Sequence, residues 1–275
     1  DAANESIVFK TNDGFVDSTN ATISIELRTD PLYKYQWHLD NTGQTNFASN
    51  AGTAGEDLNV DTVIAEGYTG SGVIVAVLDA GLEIAHEDLI DNVQVGKSYN
   101  FLTGSADPTR TSVNGDGWNA GDHGTSVAGI IASKGWNNIG GRGVAPNAGL
   151  IGYNFLEASS NSNQVLSFGT NNARATEVDI FNLSYGVDGY DKDSESEGYG
   201  KTRFPYYIGS FDSTALVQEA YKYGTTTLRN SKGALYIKSS GNGFNDYPTN
   251  SSSCGESAGT DINGDAVAAD NEGAM

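Results

Sequence analysis

The sequence predicts an α/β fold, a doubly wound and mainly parallel sheet flanked by helices. Three observations carry this. Residues 72–78, Gly-Val-Ile-Val-Ala-Val-Leu, form an unbroken apolar run rich in β-branched side chains, the pattern of a strand buried on both faces of a parallel sheet. Short apolar runs recur at 150–153, 178–183 and 234–238. Helically spaced stretches separate them, so strands and helices alternate along the chain.

Taken in order, residues 1–29 read as an N-terminal arm. Its alternating stretch Ala21-Thr22-Ile23-Ser24-Ile25-Glu26-Leu27 suits a single strand or extended segment. The texture changes at Asp30, and 30–275 reads as one unit. The helix expected at 123–134 places Val127, Ile130 and Ile131 on one side, with Ala128 and Ala132 permitting close packing. A second helix, at 212–223, begins with Asp212 as cap and carries Ala215, Leu216, Val217, Ala220 and Tyr221 at helical spacing. Sites in such sheets lie outside the carboxyl ends of the strands.

The 275 residues are 37% hydrophobic, enough for a core, and include 35 glycines, which suit many tight turns. The net charge of −20, from 35 acidic and 15 basic residues, argues against nucleic acid or an anionic membrane as partner. It favours solubility and the binding of divalent cations. No apolar run approaches the roughly 18 residues that span a bilayer. The first five residues, Asp1-Ala2-Ala3-Asn4-Glu5, lack a basic-then-apolar pattern, as expected if an export signal has been removed. The single cysteine, Cys254, offers neither an internal disulfide nor a cysteine metal cluster.

Asp79 directly follows the 72–78 run and precedes a glycine turn. A carboxylate there is placed to orient another side chain, although turn-forming aspartates are common at such ends. His123 opens the helix-like DHGTSVAGIIASK segment, where small neighbours present the imidazole to a cleft. His38 and His86 read as structural.

The segments VAVLDAG (75–81), DHGTSVAGIIAS (122–133) and IKSSGNG (237–243) occur in this order. They resemble the Asp, His and oxyanion-Asn motifs of the subtilisin-like serine proteases. TDPLYKYQWHLDN (29–41) and HEDL (86–89) resemble the kexin-like branch more specifically. The resemblance spans about 30–245 and implies a subtilisin-like catalytic domain over 30–275. In the triad it implies, Asp79 orients His123, His123 shuttles a proton for a serine hydroxyl, and Asn242 donates to the oxyanion. The same resemblance makes Leu183, Ser184, Tyr185 and Gly186, with Ser240 and Gly241, the backbone that pairs with an extended peptide substrate.

The family's Gly-Thr-Ser nucleophile motif does not occur after Asn242. Gly255-Glu256-Ser257-Ala258-Gly259 fits a nucleophile elbow in letters only, because no buried strand precedes it and no histidine follows. The expectation is therefore a secreted, extracellular serine endopeptidase whose nucleophile lies beyond residue 275, these 275 residues being inactive alone. The acidic 260–275 stretch reads as an exposed loop. The alternative is a catalytically silent, peptide-binding relative. Expected partners are a peptide or protein substrate, the C-terminal remainder carrying the serine, and a propeptide, chaperone or inhibitor.

The kexin-like resemblance also implies a Ca2+ site made by Asp30, Asp88 and Asn137 with the carbonyls of Lys134, Ile139 and Gly141, joining the N-terminal segment to the loop after the histidine helix. The bland reading is that Asp30 and Asp88 cap turns. Asp261, Asn263, Asp265 and Glu272 have EF-hand-like spacing, but Ala266 stands where that loop needs glycine. Ala80 replaces the second aspartate of kexin-like enzymes, and Asp122 lacks its acidic companion, which weakens a dibasic preference. Asp188 and Asp246 are candidates for a specificity pocket.

Overall fold

The computed structural model describes residues 5–25, 28–47, 50–110, 121–185 and 215–239. In chain order the elements are strands β1 (Glu5–Phe9) and β2 (Ala21–Ile25), helix α1 (Asp61–Ala65), strands β3 (Ile74–Asp79) and β4 (Tyr99–Asn100), helix α2 (Gly121–Ala132), strand β5 (Gly149–Asn154), helix α3 (Asn161–Ser167), strand β6 (Ile180–Leu183), helix α4 (Ala215–Ser231) and strand β7 (Leu235–Lys238). The continuous apolar run becomes β3, at the middle of a five-stranded sheet of order β4-β5-β3-β6-β7. All its pairings are parallel.

Each sheet face has its own core, as an all-parallel sheet requires. On one face, Val75, Val77 and Leu150 pack with Leu82, Leu89 and the small α2 residues Ala128 and Ala132. On the other, Ala76, Leu78, Ile151, Tyr153, Phe181 and Leu183 pack with Phe168 and with Val217, Ala220 and Leu228 of α4. From β3 the chain goes to the edge strand β4, returns inward to β5 and then passes β3 to β6 on its other side, so the winding reverses beside β3. In open α/β sheets, sites lie outside the carboxyl ends of the strands at such a reversal.

Among the described residues, the first face is only half covered. Val75, Ile180 and Leu235 are in register across β3, β6 and β7, as are Val77, Asn182 and Ile237. Helix α2 reaches β3 and β5, while Leu235 and Ile237 of β7 stay 60% and 49% exposed.

Several sequence expectations change in detail. The arm holds two strands rather than one: β1 pairs antiparallel with β2, Ile7 facing Ile23. Five residues of weak alternation carried no usable signal for β1. Ile130 lies on the exposed side of α2, because close contact with the sheet is made by Ala128 and Ala132, one turn apart. Leu216 is exposed on α4, which runs on past Tyr223. Its regular geometry ends at Leu228, and Arg229 and Asn230 adopt positive φ. Asp212, the expected cap, lies outside the described residues.

Phe181 is fully buried and stacks on Tyr236 at 4.7 Å. Phe181→Ala should cost about 3–5 kcal/mol in urea or thermal melting, whereas Leu235→Ala, on the uncovered face, should cost far less than a buried Leu→Ala in the same measurement.

Candidate active site

Asp79 ends β3 at the carboxyl edge and is 1% exposed. Its Oδ1 accepts the Ala80 N–H at 2.7 Å. Nδ1 of His123 lies 3.0 Å from Oδ1 and 2.8 Å from Oδ2. An ionised carboxylate only accepts, so Nδ1 carries the proton and Nε2 is left for chemistry. The imidazole is 48% exposed against a buried carboxylate, an orientation that presents the ring outward. Burial raises the Asp79 pKa above the usual carboxylate value, and the Ala80 amide and His123 pull it partly back.

Missing side chains make this contact possible. A Cβ at Gly124 would collide with the Gly81 carbonyl oxygen and lie 2.7 Å from the Asp79 Cβ. Only glycine lets the first turn of α2 press its backbone onto the end of β3. Gly81, at φ +141°, turns the chain beneath it. The Glu83 N–H donates to Thr125 Oγ1 at 3.0 Å, tying the post-β3 turn to α2. Behind the helix, Val144 and Ala145 donate to the Ile130 and Ile131 carbonyls at 3.0 and 2.9 Å.

The proposed substrate segment leaves the sheet at the same edge. Leu183 is buried and paired with Leu78 and Lys238, so its side chain serves the core. Ser184 and Tyr185 continue beyond it. Ser184 Oγ accepts from Asn182 Nδ2 at 2.9 Å, and the Tyr185 ring packs 5.8 Å from Phe155. The Ser239 N–H donates to the Leu183 carbonyl at 3.1 Å. Gly186, Ser240, Gly241 and Asn242 lie outside the described residues, as do Asp188, Asp246, Cys254, Ser257 and the 260–275 stretch.

The residues expected to hold a cation come together. Asp30 and Asp88 are both buried. Asp30 Oδ1 accepts the Trp136 and Asn137 N–H groups at 2.6 and 3.3 Å, and its Oδ2 pairs with Arg142 Nε at 2.7 Å. Asn137 Nδ2 donates to Asp88 Oδ1 at 2.7 Å, the Lys134 N–H to the Asp88 carbonyl at 2.8 Å, and the Ile139 N–H to Asn137 Oδ1 at 3.0 Å. Burial lifts the Asp88 pKa, the Asn137 and Gly141 hydrogen bonds lower it, and the Asp30 charge lifts it further. The donor set is hard oxygen, as Ca2+ prefers, although Arg142 already neutralises part of its charge. Among the described residues, no three His, Cys, Asp or Glu side chains lie together as a metal site.

One feature of the site escaped sequence reasoning: Arg110, Glu157 and Asn154 connect around the end of β3, with Arg110 Nε 2.8 Å from Glu157 Oε1. Nothing in their spacing signals it.

A doubly wound sheet carrying an Asp–imidazole pair at the carboxyl edge of its central strand is the class that this fold and site define. The subtilase family model (peptidase S8) matches residues 70–266, and the chain belongs to that family. It is 41% identical over 218 residues to an extracellular serine protease of Aeromonas sobria, the match covering 78% of this chain and 31% of that protein. It is 32% identical over 216 residues to human neuroendocrine convertase 2, covering 78% and 30%, so kexin-like relatives are among the matches. A crystal structure of the Aeromonas sobria serine protease superposes with a TM-score of 0.63 at 36% identity, over 79% of this chain and 33% of that one. The same comparison holds for its complex with a chaperone. This chain thus spans about a third of the length of these relatives. No helix among the described residues is long and apolar enough to cross a membrane.

Gly124→Ala should force α2 away from Asp79. The expected loss is about 1–3 kcal/mol of stability, typical of overpacking, read by urea unfolding. The open α2 position Gly129, where an added Cβ meets nothing within 4 Å, should accept alanine without that loss.

Proposed function

We propose that the complete protein is a serine endopeptidase in which Asp79 and His123 supply two members of a triad, the third being a serine beyond residue 275. The observation that carries this reading is the Nδ1–carboxylate contact of 2.8 and 3.0 Å between an exposed imidazole and a buried aspartate. His123 Nε2 removes the proton from the serine hydroxyl as its oxygen attacks the scissile carbonyl. The imidazolium so formed is stabilised by Asp79, then returns the proton to the departing amine. Asn242 donates to the tetrahedral oxyanion, and the backbone of Ser184, Tyr185 and Gly186, with Ser240 and Gly241, holds the peptide extended.

Among the described residues this sheet face is only half covered, which supports a further covering element. Leu235 and Ile237 lie on the side where α2 covers only β3 and β5, and an apolar parallel face of this kind requires a helix. A helix seated beside α2 would deliver a serine near His123.

The protein is further proposed to be secreted and to hold Ca2+ through Asp30, Asp88, Asn137 and the carbonyls of Lys134, Ile139 and Gly141. The ion's contribution is structural, joining the segment around Asp30 to the loop after α2. The Aeromonas relative forms a complex with a chaperone, and a chaperone or propeptide is the corresponding partner here.

The complete protein should label with a serine-directed phosphonate, and Asp79→Asn should lower kcat about 10⁴-fold. An intact sheet with bound peptide and no labelling would establish the silent peptide-binding reading instead. Chelation with EGTA should lower Tm, by the equivalent of about 2.7 kcal/mol if Ca2+ was held at a hundred times its Kd. Asp88→Ala should abolish that dependence.

A further inference from the structure

We propose that Glu157, acting through Arg110 and Asn154, is a positioning residue that fixes the end of β3 and so holds Asp79 against His123. Its kinetic test rests on the protease reading above.

Glu157 follows β5 in a single helical turn, Leu156–Ala158. One carboxylate oxygen accepts from Arg110 Nε at 2.8 Å and the other from Asn154 Nδ2 at 2.7 Å. The pair is deeply set, with the Arg110 and Glu157 side chains 5% and 11% exposed, and Asn154 is fully buried. Both arms reach the end of β3. Asn154 is the register partner of Asp79, and the next residue, Phe155, donates its N–H to the Asp79 carbonyl at 2.9 Å. Arg110 lies against Gly81, where an added Cβ would sit 2.9 Å from the Arg110 Cβ and 3.0 Å from its nitrogen. Leu82 is tied to the same segment, its N–H donating to the Pro108 carbonyl at 3.3 Å and its carbonyl accepting from Thr109 Oγ1 at 3.3 Å.

The contacts close a ring from Asp79 through Gly81, Arg110, Glu157 and Asn154 back to Asp79. A buried ion pair adds little net stability once desolvation is counted, and its best-attested use is to specify one arrangement. Asn154 Oδ1 has no hydrogen-bond partner, a cost that buried amides seldom carry. The carboxylate of Glu157 determines which way that amide faces. Opening the ring would free the Ala80–Gly81 turn against which Gly124 packs.

Among the described residues, the charges near the imidazole are Asp79 on β3, the mutually offsetting Arg110 and Glu157 beyond it, and Glu83, which is exposed. Two variants therefore separate position from charge: Glu157→Gln removes a charge, and Asn154→Ala removes none. In the complete protein, kcat, KM and their pH dependence are measured per phosphonate-titrated site, so misfolded molecules do not count. Both variants should lower kcat about tenfold, since small misplacements at an active site cost up to about 10²-fold, with KM unchanged. Both should also move the acid limb of kcat/KM to lower pH, because an imidazolium less well held by Asp79 loses its proton more readily. Wild-type kcat and acid limb in both variants overturn the proposal, as does a limb shift confined to Glu157→Gln. If the wild-type protein does not label, the protease reading fails, and the His123 imidazole titration, followed by NMR in the same variants, decides the point. A midpoint unchanged by either substitution then overturns it.

Discussion

The first turn of α2 touches the end of β3 because residue 124 has no side chain. Any Cβ there would meet the Gly81 carbonyl oxygen before His123 reaches Asp79. The rest of the site follows from that approach. Sheet register fixes where β3 ends. Gly81 turns the chain under the helix, and the bond from Glu83 to Thr125 keeps the two together. The small residues Ala128 and Ala132 continue the close packing along the helix, so the position of His123 is set by a whole helix face rather than by one flexible loop.

The electrostatics agree with the packing. A carboxylate buried at a strand end is costly to ionise, and burial is the largest influence on Asp79. The Ala80 amide and the imidazole offset that cost from opposite sides. What results is a carboxylate with few orientations available, facing a ring whose other edge meets solvent. Two other buried carboxylates, Asp30 and Asp88, are handled differently, with Arg142, backbone amides and Asn137 sharing their charge. The chain carries 35 acidic residues, and these three are among the described carboxylates that are buried.

Legibility in the sequence tracked how much each feature depends on local pattern. The central strand β3, strands β5, β6 and β7, and α2 were readable because continuous apolar runs and helical spacing are properties of short windows. Asp79 and His123 were readable because the chemistry leaves motifs around them. Ile130 was misplaced because hydrophobicity alone cannot tell a large exposed side chain from a small buried one when alanines make the contact. Strand β1 and helix α3 were too short for a periodic signal. The Arg110–Glu157–Asn154 ring had no local signature at all, since its members meet only after β3 and β5 are in register. For the same reason the pairing of Asp30, Asp88 and Asn137 rested on resemblance.

The central claim is that His123 donates its Nδ1 proton to a buried Asp79. The proton NMR spectrum of the protein, with imidazole nitrogens labelled, tests it most directly. The account predicts a strongly deshielded Nδ1–H resonance, slow to exchange with water, that disappears in both His123→Ala and Asp79→Ala. If no such resonance exists in the wild-type protein, or if it survives the loss of Asp79, the pair does not form and the site described here is not the one this fold builds.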